Sequence, residues 1–565
     1  MEKVLHSDAS GIRHTRLLLL GLCSLSAVLM SLPWLCDHCG ALSLVGLIPL
    51  LYADRIADSR GIRHFFLYHY FCFVLWNALT TFWVCVATVG GGIFACLANA
   101  LQMSVIWAVF RLSKRKFTPA LSCLFLVVMW IAWERAYMDA QISWPWLVLG
   151  NAFARSPRSV QWYEFSGTLG GSLWIWLCNL SVFGLSIAVR KGKALKWTAA
   201  ARICSMLATI VLFCAPLLTS KLLYSQRGKA TLKELSQSEG SIRMLVVQPN
   251  FSLEDKFTNL SQKEQTQKFI SLVDRAIDSL SLQDQNLLIV GPETFCSGVM
   301  VGNEDNSANI RLLKQMLGNH PGAELLIGVS AMDIDPRRSK PHPAALPWGD
   351  GWYMSRNSAL LLSPDRPSQI YHKSRLVPGV ECLPYPKVIG PLDSFLAPMF
   401  GAQHLCGRCI PQSEAGLLNY RDSIPLAGIV CYENAYGEYC AEFVRKGAKA
   451  IVEITNDAWW GKTPGRIQHM AFSSLRAIET RRDYVRCGNT GISAHFDSRG
   501  DLVSRGGWDE RQALLFDCAL SSRQTFFTLH GDICGRVCTF AFLLLLALLL
   551  VRFLMGLIGR DSKKG

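Results

Sequence analysis

The chain is poor in charge for its length. Only 18% of its 565 residues are charged while 50% are hydrophobic, a composition that excludes a disordered or wholly soluble protein. Twenty cysteines are too few for a disulfide scaffold. No internal repeat or low-complexity tract is visible, so a repeat architecture is excluded as well.

The positive charge is confined to the hydrophobic part of the chain. Residues 1–223 hold 19 basic and 8 acidic residues, whereas residues 224–551 hold 34 basic and 33 acidic ones. A basic excess of this kind is typical of cytoplasmic loops between membrane spans rather than of a nucleic-acid surface. Nucleic acid is therefore not expected as a partner.

Long uncharged stretches mark the candidate membrane spans, since a bilayer helix needs about 20 apolar residues. The stretch 64–110 is too long for one crossing and is interrupted by three glycines at 90–92, so it is interpreted as two spans. The others are 17–36, 38–53, 117–133, 165–189 and 203–220. This gives seven spans before residue 224, and an eighth is predicted over 537–560, so about eight transmembrane helices are expected.

Loop charges predict the orientation. Basic residues gather in the segments 3–16, 55–63, 111–116, 190–202 and 560–564, and the alternate loops are nearly free of them. By the positive-inside rule both termini are cytoplasmic and the polar block lies outside. The predicted domains are a membrane domain at 1–223, an extracytoplasmic domain at 224–535, and a final span with its cytoplasmic tail at 536–565. The first apolar run lacks a convincing cleavage site and is expected to remain as a signal anchor.

From Ile242 onward, short β-branched or aliphatic runs alternate with amphipathic helices, which predicts an α/β sandwich. The predicted strands are 243–247, 286–290, 324–329, 353–362, 427–430, 448–454, 492–497 and 513–516. The predicted helices are 263–280, 309–317, 438–446 and 468–482. The Ser-Pro-Asp-Arg-Pro-Ser segment after Leu362 predicts a hairpin turn.

Three polar residues follow predicted strands: Glu293, Lys373 and Cys431. Strand ends are where α/β folds collect catalytic groups. A thiol, an acid and an amine suit cysteine acyl-transfer chemistry, because the acid takes the thiol proton and the ammonium stabilises the developing negative charge. A helix predicted to begin near Gly437 is expected to favour the thiolate. Taken singly, each residue is more often a packed thiol or a solvated surface charge, and the joint spacing alone leaves both interpretations open.

The surrounding motifs resemble those of the apolipoprotein N-acyltransferases, the polytopic members of the nitrilase (carbon-nitrogen hydrolase) superfamily. The strongest motifs are Gly291-Pro-Glu-Thr, Tyr371-His-Lys-Ser-Arg-Leu-Val-Pro-Gly-Val-Glu, Val430-Cys-Tyr-Glu-Asn and Thr455-Asn-Asp-Ala-Trp-Trp-Gly. The resemblance covers nearly the whole chain, spans included. It implies a nitrilase-like αββα sandwich outside the membrane.

The resemblance also implies a function in lipoprotein maturation. Cys431 would be the nucleophile that takes an acyl chain from a membrane phospholipid as a thioester, with Glu293 as general base and Lys373 as cationic stabiliser. The acceptor would be the α-amine of the lipid-modified N-terminal cysteine of a diacylated apolipoprotein. Glu381 resembles a further essential acid that orients Lys373 or moves a proton. No cofactor or metal is implied, and the location would be a bacterial inner membrane.

The resemblance assigns supporting roles as well. Tyr432 and Glu433 would shape the pocket beside the thiol, and Glu433 equally fits an acid that caps the next helix. Asn456 and Asp457 are expected to make turn hydrogen bonds in the pocket wall.

The sequence departs from the family pattern at a few places. Phe257 and Gly291 stand where tryptophan is common in the family. A long insertion, 389–411, displays Phe395, Leu396, Met399 and Phe400, which suggests a mobile arm that dips into the bilayer.

Within that insertion, Cys406 and Cys409 form a CxxC with one nearby histidine. This is weak evidence for metal, and a local disulfide is the favoured prediction.

Two other functions compete with this interpretation. A membrane-anchored amidase of the same superfamily, hydrolysing a small amide, would keep the fold but would need only one span. A transporter with an accessory domain would place ionisable groups inside the bundle, and the long runs hold almost none. The sequence leaves the acyl-chain preference and the oligomeric state open.

Overall fold

The computed structural model describes residues 2–191, 198–234, 240–283, 286–400 and 404–561. They divide into two compact units. One comprises Met1–Asp139, Trp144–Leu223 and Asp532–Gly565, and the other comprises Ala140–Ser143 and Tyr224–Gly531, each within the described residues. Four of the basic residues used to predict the orientation, Lys193, Lys196, Lys563 and Lys564, lie outside the described residues.

The first unit is helical. Its helices are α1 Glu2–Leu35, α2 Ser43–Gly46, α3 Ile48–Ser59, α4 Phe65–Thr81, α5 Val84–Ala87, α6 Val89–Ser113, α7 Pro119–Asp139, α8 Tyr163–Lys191, α9 Ala199–Glu234 and α16 Ile533–Asp561.

Among the described residues, seven segments are long and apolar enough to cross a membrane: Arg13–Leu35, Gly40–Ser59, Val89–Ser113, Pro119–Asp139, Tyr163–Ala188, Ala200–Gln226 and Ile533–Ile558. Helix α4, with 17 residues, is apolar but shorter than these. The predicted polytopic helical bundle is confirmed. The count of eight spans requires α4 to cross as well.

Charged residues in this unit are paired at helix ends. Asp54, at the end of α3, contacts both Arg111 and Lys114 at the end of α6, and Lys114 Nζ also lies 2.9 Å from an Asp58 oxygen. The predicted basic loops 55–63 and 111–116 therefore lie at the same end of the helices. Arg155, one of the few basic residues in the alternate loops, is bound to Asp37 at 2.8 Å.

The second unit is an α/β sandwich. Its strands are β1 Ser241–Gln248, β2 Leu287–Val290, β3 Cys296–Met300, β4 Ala323–Asp335, β5 Leu346–Trp348, β6 Gly351–Leu362, β7 Gln369–His372, β8 Leu417–Tyr420, β9 Ile424–Val430, β10 Ala450–Thr455, β11 Tyr484–Gly488, β12 Ala494–Phe496, β13 Leu502–Arg505 and β14 Gln512–Ala519. Its helices are α10 Gln262–Ser279, α11 Ala308–Gly318, α12 Pro386–Leu396, α13 Gly437–Arg445, α14 Pro464–Thr480 and α15 Phe526–His530.

The strands form two sheets. One sheet has the order β14-β1-β2-β4-β6-β5, with β3 paired to β4 and β7 paired to β6, and the other has the order β13-β12-β11-β10-β9-β8. The strands β1, β2 and β4 run parallel, as do β9, β10 and β11. Helices α10 and α11 pack on the first sheet, α13 and α14 pack on the second, and the sheets meet through β1 and β11 and through β6 and β9. This is the predicted αββα sandwich.

The aliphatic runs become strands because the sheets are covered on both faces, so their residues are buried on either side. All four residues of β2 and all six of β10 are buried. The predicted hairpin is present, since β6 pairs antiparallel with β7, with Leu361 opposite Gln369. Strand β11 is not predicted from the sequence. Its segment Tyr-Val-Arg-Cys-Gly contains an arginine that is buried in the structure, whereas arginine is normally a surface residue.

The insertion 389–411 differs from the prediction of a simple mobile loop. It overlaps α12, which begins with Pro386 in its first turn, where a missing N–H costs nothing. The apolar residues Val388, Leu392 and Phe395 recur at helical spacing and are exposed. The opposite face is anchored by buried Asp393, which accepts hydrogen bonds from the Leu405 and Cys406 amides. Residues 401–403 of the insertion lie outside the described residues.

Candidate active site

Two carboxylates and one ammonium form a buried cluster at the strand ends. Lys373 Nζ lies 3.2 Å from Glu293 Oε1 and 2.9 Å from a Glu381 oxygen. Lys373 is only 1% exposed. Although burial acts to lower it, the carboxylates of Glu293 and Glu381 raise the pKa of Lys373 well above its usual value. The structure thus brings together the predicted base, the predicted cation and the predicted further acid.

Asn357, which the sequence did not single out, connects the two acids. Its Nδ2 donates to Glu293 Oε1 at 2.8 Å and to Glu381 Oε1 at 2.7 Å. Its backbone carbonyl accepts the Lys373 amide at 2.8 Å. The side chain is buried, and its Oδ1 has no hydrogen-bond partner among the described residues. Asn357 therefore holds the carboxylates at a fixed separation around the ammonium.

Glu293 lies on a strained turn just after β2. The next residue, Thr294, has a φ of 47°, a left-handed conformation that β-branched residues rarely adopt. The turn packs directly on β4 at Gly328, where a Cβ atom would lie 2.5 Å from the Glu293 Cα. A glycine is required there because the two backbones approach so closely.

Lys256 secures this turn from outside. It belongs to a single turn of π-helix, Asp255–Asn259, and its Nζ donates to the Glu293 carbonyl at 3.2 Å and to Thr294 Oγ1 at 2.8 Å. Burial lowers the pKa of Lys256 to about 8, and the charge of Glu293 opposes that shift. The sequence does not single out Lys256, since it is one lysine in a polar segment. Its neighbour Phe257 is exposed and lies 5.9 Å from the exposed ring of Trp459.

Cys431 follows β9 directly and is almost buried, with 9% of its surface exposed. Its φ of 50° places it in the left-handed region, so the chain turns sharply at the thiol. Burial and then the Glu293 carboxylate raise the pKa of Cys431 well above its usual value, while Lys373 acts against the rise. The helix predicted near Gly437 does begin there, but the expected shift towards thiolate was wrong, because burial and a nearby negative charge outweigh the helix end.

Glu433 connects the ends of two strands that belong to different sheets. One of its oxygens accepts from the Ser374 amide at 2.7 Å, beside Lys373, and the other accepts from the Val430 amide at 2.9 Å, beside Cys431. The hydroxyl of Tyr371 also donates to it, at 2.6 Å. Burial raises the pKa of Glu433 against these hydrogen bonds. The carboxylate does more than cap a helix, since it fixes the separation between the lysine and cysteine segments.

Tyr432 is buried and turned away from the acids. Its hydroxyl donates to the Ser143 carbonyl at 2.9 Å, and its ring packs edge-on against Tyr436 at 5.3 Å between centroids. The structure therefore places Tyr432 beside the cysteine in the chain but gives it a packing role in the described contacts.

A buried ionic network supports the Cys431 backbone. The Nε2 of His469 lies 3.3 Å from the Cys431 carbonyl, and its Nδ1 lies 3.1 Å from Asp457 Oδ1. Asp457 is also bound by Arg486 at 2.7 Å, and despite burial this guanidinium lowers the pKa of Asp457. The expected turn hydrogen bond is made by Asn456, which accepts from the Ala458 amide at 3.4 Å. Asp457 instead forms an ion pair, which the sequence did not indicate.

The predicted disulfide between Cys406 and Cys409 was wrong, since both are free thiols. Their backbones are held by different partners. The Cys406 amide donates to Asp393 Oδ1 at 3.2 Å, whereas the Cys409 amide donates to the Glu381 carbonyl at 2.8 Å. Within the described residues, no group of three His, Cys, Asp or Glu side chains is arranged to hold a metal ion.

Comparison with known proteins agrees with this geometry. Residues 246–526 match the model of the carbon-nitrogen hydrolase family, and residues 26–181 match that of the apolipoprotein N-acyltransferase N-terminal domain. Over nearly its whole length the chain is similar to the apolipoprotein N-acyltransferases. It is therefore a membrane-bound acyltransferase of lipoprotein N-acylation, as the sequence motifs predicted.

Individual relatives span both units. The apolipoprotein N-acyltransferase of Chlorobaculum tepidum is 29% identical over 89% of this chain and 91% of its own length. That of Geobacter metallireducens is 24% identical over 91% of this chain and 92% of its own length. Among solved structures, Nit3 of Saccharomyces cerevisiae, a member of branch 10 of the nitrilase superfamily, matches 52% of this chain and 94% of its own at 14% identity, with a TM-score of 0.34.

Proposed function

We propose that the protein transfers an acyl chain from a membrane phospholipid to the α-amine of the N-terminal cysteine of a diacylated apolipoprotein. In the first half-reaction Glu293 takes the thiol proton of Cys431 while the sulfur attacks the ester carbonyl. Lys373 and backbone amides stabilise the tetrahedral oxyanion. The C–O bond then breaks, the lysophospholipid oxygen takes the proton from Glu293, and a thioester is left on Cys431.

The second half-reaction uses the same groups in reverse order. The acceptor amine attacks the thioester carbonyl and passes a proton to Glu293. The C–S bond breaks, the amide forms, and the proton returns from Glu293 to the cysteine sulfur. Atoms and charges balance without a cofactor, because one base serves both steps.

The observation that carries this proposal is the charge arrangement around the thiol. The pKa of Cys431 is raised, so the resting sulfur is a thiol that requires a base at the moment of attack. The Glu293 carboxylate supplies that base. Lys373 stays protonated, because the carboxylates of Glu293 and Glu381 raise its pKa, so it serves as the fixed cation.

Three further residues position these groups. Glu381 binds the Lys373 ammonium at 2.9 Å and accepts the second amide hydrogen bond of Asn357. Glu433 sets the spacing of the lysine and cysteine segments. Tyr432, the residue after the thiol, shapes the pocket through its packing against Tyr436.

We further propose that the α/β unit lies on the extracytoplasmic side of a bacterial inner membrane, with both termini in the cytoplasm. The grouping of basic residues near Asp54 and Asp58 at one end of the helices supports this orientation. The membrane domain then corresponds to residues 1–223, the catalytic domain to 224–535 and the last span with its tail to 536–565.

Helix α12 is proposed as the arm that contacts lipid. Val388, Leu392 and Phe395 of α12, and Met399 three residues beyond its end, are between 55% and 77% exposed, an apolar stripe that water alone does not favour. Replacing these four with serine should reduce lipid turnover about tenfold or more. A matched control replaces Leu502 and Val503, which are also exposed but lie on β13. Equal turnover in both variants would leave α12 as ordinary surface.

The direct test of the reaction is intact mass spectrometry. The purified protein is incubated with phospholipid vesicles, and a synthetic diacylated lipopeptide is added in a second step. We expect a long-chain acyl adduct on the wild type and on Cys409→Ser, which removes a neighbouring thiol, but none on Cys431→Ala. The adduct should then move to the lipopeptide amine. An adduct lost only to water would indicate a hydrolase of the amidase type, and no adduct would refute the proposal.

A further inference from the structure

Three cysteines that the proposed reaction does not use lie beside the Glu381 loop. The Gly407 amide donates to the Gly379 carbonyl at 3.1 Å, and the Cys409 amide donates to the Glu381 carbonyl at 2.8 Å. The second hydrogen bond joins the Cys409 amide to the peptide group between Glu381 and Cys382, so the Cys409 and Cys382 backbones are adjacent.

This proximity suits a covalent bond between the two sulfurs. The hydrogen bond from the Cys409 amide to the carbonyl just before Cys382 brings the two Cα atoms near the roughly 4.4–6.8 Å that a disulfide spans. Both thiols are half-buried and have only weak partners in the described residues, Cys409 Sγ at 3.7 Å from Ser355 Oγ and Cys382 Sγ at 4.0 Å from the Val377 carbonyl. The Cys409 thiol also contributes to raising the pKa of Cys382, as expected of neighbouring sulfurs.

We propose that Cys382 and Cys409 form a modification site, at which a disulfide-containing thiol oxidant converts the pair to an intramolecular disulfide. One cysteine thiolate attacks the oxidant disulfide, which releases one of its sulfurs as a thiol and leaves a mixed disulfide. The second cysteine then displaces the other oxidant sulfur. Two electrons and two protons pass from the cysteines to the oxidant, which leaves fully reduced.

The compartment favours this chemistry. This point rests on the proposed extracytoplasmic position of the catalytic unit, since disulfide oxidants act outside the cytoplasm. Burial, followed by the nearby Glu381 carboxylate, raises the pKa of Cys382 to about 12, so little thiolate is present at neutral pH. Thiol–disulfide exchange requires that thiolate, so the pair should react slowly at neutral pH and faster at higher pH.

Oxidation would act on two functional elements. The new bond would close the segment 382–409, which contains α12, and so join the two ends of the proposed arm. It would also fix the backbone next to Glu381, whose carboxylate holds Lys373. The redox state of the compartment would thus control whether the two ends of the proposed arm are covalently joined.

The test uses the full-length protein in detergent micelles, treated with oxidised glutathione, alkylated and digested with trypsin without reduction. The three cysteines fall on separate tryptic peptides, Cys382 on 376–387, Cys406 on 388–408 and Cys409 on 409–421. We expect peptide 376–387 joined to 409–421, two hydrogens lighter than the sum of the two. The link should persist in Cys406→Ser and be absent from Cys382→Ser and Cys409→Ser.

Other outcomes would overturn the proposal. A link between 388–408 and 409–421 would assign the bond to Cys406, and glutathione adducts without any link would show that the sulfurs do not meet. The readout is independent of acyl transfer, so a failed cross-link and a failed acyltransferase assay are distinguishable.

Discussion

Asn357 offers the sharpest test of how the acids are positioned. Its amide donates to both Glu293 and Glu381, and hydrogen bonds to charged groups are worth about 1.5–3 kcal/mol each. Asn357→Leu keeps the branched outline of the side chain but removes both bonds. Taking the lower value for each, about 3 kcal/mol of carboxylate positioning is lost, which corresponds to a rate decrease of roughly 100-fold. Lys373 remains to bind both acids, so the fold should persist.

The assay is the rate at which the acyl adduct appears on Cys431 in wild type and variant, followed by quenched intact mass spectrometry. Ser358→Ala is the matched control. Ser358 is the next residue of the same strand, and its hydroxyl is hydrogen-bonded to His372 rather than to either acid. It should leave the rate within about twofold, the usual effect of a change away from the reacting groups. A decrease of less than about fivefold in Asn357→Leu, in protein that melts cooperatively, would refute the positioning role.

Asn357→Asp tests the same two hydrogen bonds through the pH dependence of the rate. A third carboxyl group beside two carboxylates has its pKa raised by like-charge repulsion, so it tends to take up a proton. The protonated form donates one hydrogen bond, whereas the ionised form donates none. We therefore expect the variant to gain activity relative to the wild type as the pH falls through that raised pKa. A ratio of the two rates that does not change with pH would contradict this account.

Three further outcomes follow from the same geometry. Glu433→Gln removes the charge of a carboxylate that accepts hydrogen bonds from amides at both strand ends. A loss of about 2 kcal/mol should slow acyl-adduct formation about 30-fold and lower the melting temperature. An unchanged rate and melting temperature would indicate that Glu433 only caps a helix. Glu293→Gln should abolish acyl transfer yet speed the alkylation of Cys431 by iodoacetamide, because the carboxylate raises the thiol pKa; slower alkylation would contradict that electrostatic role. Lys256 has a pKa of about 8 and loses its charge as the pH rises from 7 to 9. The wild-type rate should therefore fall in that interval relative to Lys256→Arg, which stays protonated. Parallel pH profiles would argue against a role of the Lys256 charge in holding the Glu293 turn.

The strand-end positions of Glu293, Lys373 and Cys431 could be predicted because each depends on local sequence. An aliphatic run that becomes a buried strand must end where polar residues begin, and this holds whatever the rest of the chain does. The hairpin between β6 and β7 was predictable for the same reason, since its turn chemistry lies within seven residues. The membrane spans depend only on the length of uncharged stretches.

Other features depended on contacts between distant residues. Asn357 is one polar residue within a strand, and only the pairing of β6 with β4 and β7 places its amide between two acids. The thiol pKa moved opposite to the prediction, because burial and a carboxylate from another strand outweigh a nearby helix end. The helical form of α12 is not predicted from the sequence, because its apolar residues face outward and only the structure shows that Asp393 is buried.

The sequence by itself determined the membrane character, the α/β class and the strand-end positions of the three proposed reactive side chains, because hydrophobic length, periodicity and strand ends are local properties. Only the tertiary structure decided which residues hold those side chains in place. Glu433 accepts amides at the ends of strands in two different sheets, and the Cys409 amide is bonded next to Cys382, 27 positions earlier in the chain. Hydrogen bonds of this kind join segments that come together only when the sheets pack. They therefore cannot be predicted from any short stretch of the sequence.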